Sequence, residues 1–433
     1  MQVTFPYPNI APVDVPDANL LGVFAPKSVP TSATVEQLVA DALSQPIGAP
    51  RLRDQVDART RVLILVDDTT RPTPAASIVP VVLDELKAGG VPRGNVSFLT
   101  ADGTHGCMTQ AQLEHKLGAD VLNHFPVYCH RWREESQMVD LGKTALEEVP
   151  VIVDRRLTEA DVIVSIGHIV PHRITGFSGG AKSIVPGVAG MSSDAKEVHW
   201  LAAQYPARDI TGVADNPMRR IVNQAGQMAR LRFIVNVIQD NHERVIRVVA
   251  GDPDAAHRDG CSTSRDIYGV RIPELAPIVL LDSFPSDVDY WQAAKAAYAA
   301  ELAVQHGGVL ILVTPCPEGV AREHPELLQL GVRPLDEIRR MVARGVYQDV
   351  VAAAIAALTA WVVRERAHGI MVSPGIPADE RRAIGFEPAA TAQEALAMAL
   401  KRCGAAAKVL VLQHGGEILP MPPGSPAAKG LPG

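Results

Sequence analysis

Short, nearly unbroken runs of aliphatic and β-branched residues recur along the chain, at residues 62–66, 96–100, 161–166, 233–238, 245–249, 278–281, 309–313, 370–372 and 409–412. A strand wet on one face alternates apolar and polar residues, so continuous runs predict strands covered on both faces. Between several of them apolar residues return every three or four positions, which predicts helices over 34–44, 77–86, 290–304, 336–343, 347–366 and 393–401. Strand and helix in alternation imply an α/β fold of layered domains with mostly parallel sheets. The polar, turn-rich stretch at 251–277 marks a boundary, after which a new strand-loop-helix-strand unit begins. The expected organisation is therefore an N-terminal α/β domain, 1–270, carrying most of the chemistry. A C-terminal α/β domain, 271–433, completes the site, with a cleft between the two. The tail past Gly415 is rich in Pro, Gly and Ala and is expected to fray. The longest apolar stretch, 350–363, is too short to span a membrane and ends in Arg364, Glu365 and Arg366, so it reads as a buried helix.

Composition narrows the partners. With 433 residues the chain exceeds one average domain, and 47% hydrophobic residues suffice for sizeable cores. Aromatics are only 4%, so those cores are aliphatic. A net charge of −7 gives no basic field for a nucleic acid or an anionic membrane, and the expected partner is a small molecule. The first residues lack the basic and apolar regions of a signal peptide. The cysteines at 107, 129, 261, 316 and 403 form no Cys-x-x-Cys pair, which argues against a disulfide framework or a structural zinc site and fits a cytoplasmic setting.

Chemistry is concentrated where strands are expected to end. Asp67 to Pro74, read as DDTTRPTP, follows the run at 62–66. Ligands in open α/β sheets bind beyond such strand ends. Arg71 there offers a planar fork for a carboxylate or phosphate, and Thr69, Thr70 and helix-start amides suit a phosphate. As plain structure, the same residues would cap the next helix. His105 lies between glycines after the run at 96–100, an exposed imidazole suited to acid/base work or an ordinary turn histidine. The third segment, 167–187, contains PHRITGFSGGAKSIVPG, with His172, Gly179, Gly180 and Lys182. Glycines allow close approach to a cofactor, and a lysine of lowered pKa is a nucleophile. The segment nearly matches a phosphate-binding Walker loop. That lysine, however, would open a helix, whereas Ile184-Val185-Pro186-Gly187 follows here, and the strand ends well before Gly176. No dinucleotide fingerprint is present. His199 sits in a possible helix at 193–203, where a lone histidine is commonly structural. Trp291, Gln292 and Lys295 open another; Gln292 and Lys295 share a face, and Trp291 could cover a flat ring.

Taken together, DDTTRPTP, GTH and PHRITGFSGGAKSIVPG, in this order, resemble the lactate racemase family, from about Asp67 to Lys295 with a C-terminal domain beyond. The resemblance implies a 2-hydroxyacid racemase or epimerase that uses a nickel-pincer nucleotide and reversible hydride transfer through a 2-ketoacid. It implies that Lys182 carries the cofactor covalently, that His199 ligates nickel, and that His105 and His172 are the acid/base pair. Asp68, Thr69, Thr70, Gly179, Gly180 and Trp291 would contact the cofactor; Arg71, Gln292 and Lys295 would hold the substrate. Separate maturation enzymes would build the cofactor. A sugar-acid 2-epimerase, a racemase of a larger hydroxyacid such as malate, and a non-catalytic binding relative are the alternatives.

The set is chemically coherent. A hydrogen on carbon beside a carboxylate is a poor acid, because its loss as a proton would place negative charge next to an anion. Its loss with the electron pair is easier when the hydroxyl proton leaves too. Two bases, a hydride acceptor and a cationic clamp are then needed, and orientation supplies much of the rate. Soft sulfur donors with an imidazole suit square-planar nickel.

Overall fold

A computed structural model describes residues 1–190 and 194–428. Two six-stranded sheets form the frame. The first runs, edge to edge, Val245–Gly251, Leu231–Gln239, Val162–His168, Val62–Asp67, Val96–Ala101 and Val127–Cys129, parallel except for the antiparallel pairing of the first two. The second runs Glu387–Pro388, Ala367–Val372, Val304–Val313, Ala276–Asp282, Val409–Leu412 and Leu20–Phe24, and is parallel throughout. Val162–His168 is buried along its whole length, as its unbroken apolar character implies. In the first sheet Val62, Ile64 and Val66 face one core and Leu63 and Leu65 the other.

The second sheet takes one strand from the N-terminal part of the chain. Leu20–Phe24 crosses over to pair with Val409–Leu412, Leu20 opposite Val409 and Phe24 opposite Leu412, extending the second sheet. Five residues with a central glycine gave no strong strand pattern; a free sheet edge gives them their conformation. The stretch read as turn-rich contains a full helix, Ala255–Tyr268. Its buried face is built from Ala256, Gly260, Cys261 and Ser264 as well as Ile267, small residues that let it lie close on the sheet and that hide the apolar period. The helix Pro217–Met228, capped by Asn216 and carrying Arg219 on its buried side, was also not expected.

Two further expectations are corrected. The described part of the tail is built into the fold: Gly415 to Ile418 line the central cleft, and Leu419–Met421 pairs with Gly269–Arg271. The cysteines do not all stay apart. Cys107 and Cys129, 22 residues apart in sequence, meet at a Cα separation of 5.8 Å and are joined, because the chain returns from the His105 loop to the edge strand.

The helix Val350–Ala360 is apolar on every side because it lies between the two halves. It packs on Asp194–Ala202, and Val198 and Ala202 join its alanines in one core. Asp349 caps it, accepting from the Val351 and Ala352 amides at 3.0 and 3.1 Å. No described helix is long and apolar enough to cross a membrane.

Candidate active site

Three parallel strands of the first sheet deliver three loops to one cleft. Val62–Asp67 ends in the DDTTRPTP turn. Asp68 closes that turn on itself, its Oδ1 accepting from Thr70 N at 3.0 Å and Thr70 Oγ1 at 2.5 Å. Lys116, buried, pins the loop from the helix Gln110–Leu117: its ammonium donates to the Asp68 and Arg71 carbonyls at 3.0 and 2.9 Å and lies 2.7 Å from Asp67 Oδ1. The sequence analysis did not single it out, because its role depends on a loop 45 to 48 residues away.

The loop after Val96–Ala101 carries His105. Its Nδ1 lies 2.5 Å from Asp68 Oδ2, and its Nε2 lies 3.0 Å from Gln292 Nε2, contributed by the second half of the protein. A chain of donors sets the proton positions. Lys295 Nζ donates to Gln292 Oε1 at 2.6 Å, which turns the Gln292 amide nitrogen toward His105. Nε2 therefore accepts, and Nδ1 carries its proton toward the carboxylate. Burial would raise Asp68, but the charge and hydrogen bond of His105, with Arg71 and Thr70, hold it far below the usual carboxylate range. His105 is thus held by Asp68 at Nδ1 and presents Nε2 toward Gln292 and the cleft.

Asp102, the first residue after that strand, goes the opposite way. It is buried and faces Asp68, and both effects push it up to about 8, so it stays protonated near neutrality. It bonds Thr100 Oγ1 and lies 3.4 Å from Cys129 Sγ. Nothing in its sequence context distinguished it.

The loop after Val162–His168 bears His172 and Lys182. His172 Nδ1 accepts from Ile174 N at 3.2 Å, which leaves Nε2 as the proton-bearing nitrogen. Burial first, then Lys182, Arg71, Lys295 and His199, push its pKa well down, so the ring is neutral. Lys182 lies in a short turn, Gly180–Ser183. Burial, Arg71 and Arg219 lower its amine to about 7, which makes it a nucleophile near neutral pH. Arg219 shapes this loop by donating to the carbonyls of Thr175, Phe177 and Gly179, and Asn236 Oδ1 accepts from Gly180 N at 2.8 Å.

Gly179 and Gly180 have φ of +74° and +59°. A Cβ on Gly179 would meet Asn236 Oδ1 at 2.7 Å, and one on Gly180 would meet the His257 ring at 2.9 Å. Glycine is thus required here by the protein's own packing, whatever approaches from the cleft. Gly179 borders the cleft, whereas Gly180 lies buried against His257.

The cleft unites most of the residues singled out in the sequence. Asp68, Arg71, His105 and His172 line it beside Lys182 and His199. Trp291, Gln292 and Lys295 close it from the second half. Thr69 and Thr70 border an adjoining cavity of about 610 Å³, together with the start of the helix Ala75–Ala88. His199 lies on Asp194–Ala202; residue 193, where that helix was expected to begin, is outside the described residues. Trp291 stacks on the His324 ring, centroids 3.8 Å apart and planes within 4°. Glu417, from the tail, also lines the cleft; burial raises it to about 7 against the pull of Lys295.

The residues can be tested against a nucleotide-borne metal. Among the described residues no three His, Cys, Asp or Glu side chains cluster as a metal site. A metal in the cleft would take His199 and draw its other donors from a non-protein group. The Lys182 amine, lowered to about 7, is suited to tethering such a group. The adjoining cavity falls in the size range that holds cofactors, with a helix start to face a phosphate. The site fits.

A paired α/β fold whose cleft holds two histidines, the Arg71 guanidinium and two lysine amines lowered by burial, Lys182 and Lys295, has the form of an enzyme active site. The comparisons with known proteins are more specific. Residues 9–208 match the model of the lactate racemase N-terminal domain, and 276–419 that of the C-terminal domain. Lactate racemase of Thermoanaerobacterium thermosaccharolyticum is 31% identical over 344 residues, 77% of this chain and 78% of that protein. Lactate racemase of Lactiplantibacillus plantarum is 28% identical over 384 residues, 88% and 89% of the two. The structure of the T. thermosaccharolyticum apoprotein superposes with a TM-score of 0.87 at 28% identity, covering 97% of this chain and all of that one. A Thermotoga maritima protein shares the fold at TM-score 0.72 and 22% identity, over 91% of this chain and all of that one. The chain belongs to the lactate racemase family.

Proposed function

We propose that the protein inverts C2 of a 2-hydroxyacid, lactate or a close relative, by reversible proton-coupled hydride transfer through a 2-ketoacid. The family is one of isomerases, and its curated members here are lactate racemases. The observation that supports the reading is that His105 and His172 line one cleft together with Arg71, Lys182 and Lys295. His105 offers a lone pair at Nε2, and His172 holds a proton at Nε2. Arg71 and Lys295 hold the substrate carboxylate, with Gln292 between Lys295 and His105. The substrate hydroxyl replaces the Gln292 amide at His105 Nε2 and gives up its proton there. Asp68 stabilises the imidazolium formed, since its carboxylate accepts from Nδ1. For His172 to serve the other enantiomer, its neutral ring must carry its proton at Nδ1, which breaks the Ile174 contact. His105 and His172 then serve opposite enantiomers.

The cofactor of this proposal is a nickel-pincer nucleotide tethered to Lys182, which accepts the substrate's hydrogen with its electron pair and returns it. His199 would ligate the metal; Thr69, Thr70 and the start of Ala75–Ala88 would face the phosphate, with Asp68, Gly179, Gly180 and Trp291 around the rest. Dedicated maturation enzymes would supply it. The setting we propose is the cytoplasm, where the Cys107–Cys129 pair would be held as thiols. The test is the intact mass of the chain produced with those maturation enzymes, with peptide mapping of 171–187. A nucleotide-sized adduct on Lys182, with nickel, is expected. An unmodified Lys182 under those conditions overturns the cofactor assignment.

A further inference from the structure

His324 lies outside every motif, in the loop between the strand Val304–Val313 and the helix Glu326–Leu330. It is buried, 2% exposed, and held on four sides. Trp291 stacks on its ring, and Trp132 lies 5.6 Å away on a tilted plane. Its Nδ1 is 2.6 Å from Asp349 Oδ2, and its Nε2 is 3.2 Å from the carbonyl oxygen of Thr104, the residue before His105. A peptide carbonyl only accepts. Asp349 only accepts as well: burial would raise it, but the hydrogen bond and charge of His324 carry it below the usual carboxylate range. Both ring nitrogens therefore face acceptors, Asp349 at Nδ1 and the Thr104 carbonyl at Nε2.

We propose that His324 is a positioning residue: by bridging Asp349 and the Thr104 carbonyl, it holds the His105 loop in register with the second half of the protein. The loop bearing His324 also fixes Gln292, because Gly319 and Val320 accept from the Tyr290 and Trp291 amides at the start of that helix, both at 3.0 Å. His105 is therefore held from one loop in two ways, through its ring by Gln292 and through its backbone by His324. Asp349 extends the link. Its Oδ1 caps Val350–Ala360, and that helix packs on the one bearing His199. Arg133 clasps the outside, donating to the Glu323 carbonyl at 2.7 Å and lying 3.7 Å from Asp349. The base at His105 and the helix of His199 are thus set by one buried pair, His324 and Asp349.

The inference rests on His105 being an acid/base group, but its primary readout needs no substrate. In the full chain labelled with ¹⁵N-histidine, the His105 Nδ1 proton bonded to Asp68 gives a far-downfield NMR signal. His324→Phe keeps the stacked ring and removes both ring nitrogens. The expected result is loss or exchange broadening of the His105 signal with the His172 ring signals unchanged. His324→Gln, which still has an amide donor for Thr104, should restore much of it. In cofactor-loaded protein, His324→Phe should lower kcat for lactate about 10- to 100-fold, as for a displacement near 1 Å, with KM within about twofold. An unchanged His105 signal and kcat in His324→Phe overturns the proposal. So does a loss of activity that tracks the folded fraction with all histidine signals changed together. If His324→Phe does not fold, His324→Met, which fills much of the same space without a donor for the Thr104 carbonyl, must give the same split. Wild-type protein that racemises no 2-hydroxyacid would refute the proposed function and leave the ring test standing.

Discussion

Asp68→Asn is the most informative single change, because the protein around it dictates how the amide must sit. Thr70 N and Thr70 Oγ1 both donate to Oδ1, so the new amide keeps its oxygen there and turns its NH2 toward His105. Nδ1 of His105 must then accept, which moves the ring proton to Nε2. That proton meets the Gln292 amide nitrogen, whose own orientation is locked by Lys295. Two donors face each other where the wild type has a donor and a lone pair. The variant loses the lone pair that takes the hydroxyl proton and the anion that stabilises the imidazolium. The same carboxylate-to-amide change in serine-protease triads costs roughly 10⁴ in kcat. Here the ring can partly recover by flipping Gln292, so a loss of about 10²- to 10⁴-fold is expected, or ~3 to 5 kcal/mol of barrier. Chiral chromatography of lactate after timed incubation measures it, with substrate affinity checked by KM. Stability supplies an independent arm. Folding holds Asp68 below its ordinary pKa, so its contribution is full above the usual carboxylate range and disappears as pH falls through the lower folded value. The melting temperature of Asp68→Asn should therefore fall less steeply on acidification than that of the wild type. Wild-type kcat in this variant would refute the proton arrangement derived for His105.

Three further outcomes are expected. In protein without cofactor, the Lys182 amine, lowered to about 7, should be acylated with a midpoint near that pH, while exposed lysines react only at higher pH; peptide mapping that found Lys182 no faster than the others would contradict its burial between cations. Gly180→Ala forces a Cβ to 2.9 Å from a His257 ring that is itself held by the Ser178 carbonyl at 2.8 Å, at a φ of +59°, and should cost about 1–3 kcal/mol; an unchanged thermal melt would mean the loop relaxes freely. Reducing the Cys107–Cys129 link should lower stability by about 3 kcal/mol for a loop of this length, and Cys129→Ser should make the melt insensitive to reductant; equal reductant sensitivity in that variant would place the effect elsewhere.

Much of this protein is legible along the chain. Unbroken apolar runs identified the inner strands, since a strand covered on both faces needs no polar partner face. Polar and glycine-rich segments directly after those runs located the chemistry, because a parallel sheet brings its strand ends to one edge. That is why Asp68, Arg71, His105, His172 and Lys182 were picked out and now line one cleft. What the chain alone did not reveal depends on partners distant in sequence. Leu20–Phe24 becomes a strand only because Val409–Leu412 offers it an edge. The helix Ala255–Tyr268 buries small residues that carry no apolar period. Cys107 meets Cys129, and Gly415 to Ile418 reach the cleft, through chain reversals that spacing does not encode. Protonation is the clearest case. Asp68 and Asp102 are both aspartates just beyond strand ends, yet one is held ionised by His105 and Arg71 and the other kept protonated by burial beside Asp68. Residue type sets which protons can move, but the fields and hydrogen bonds that decide where they rest exist only once both halves of the fold surround them.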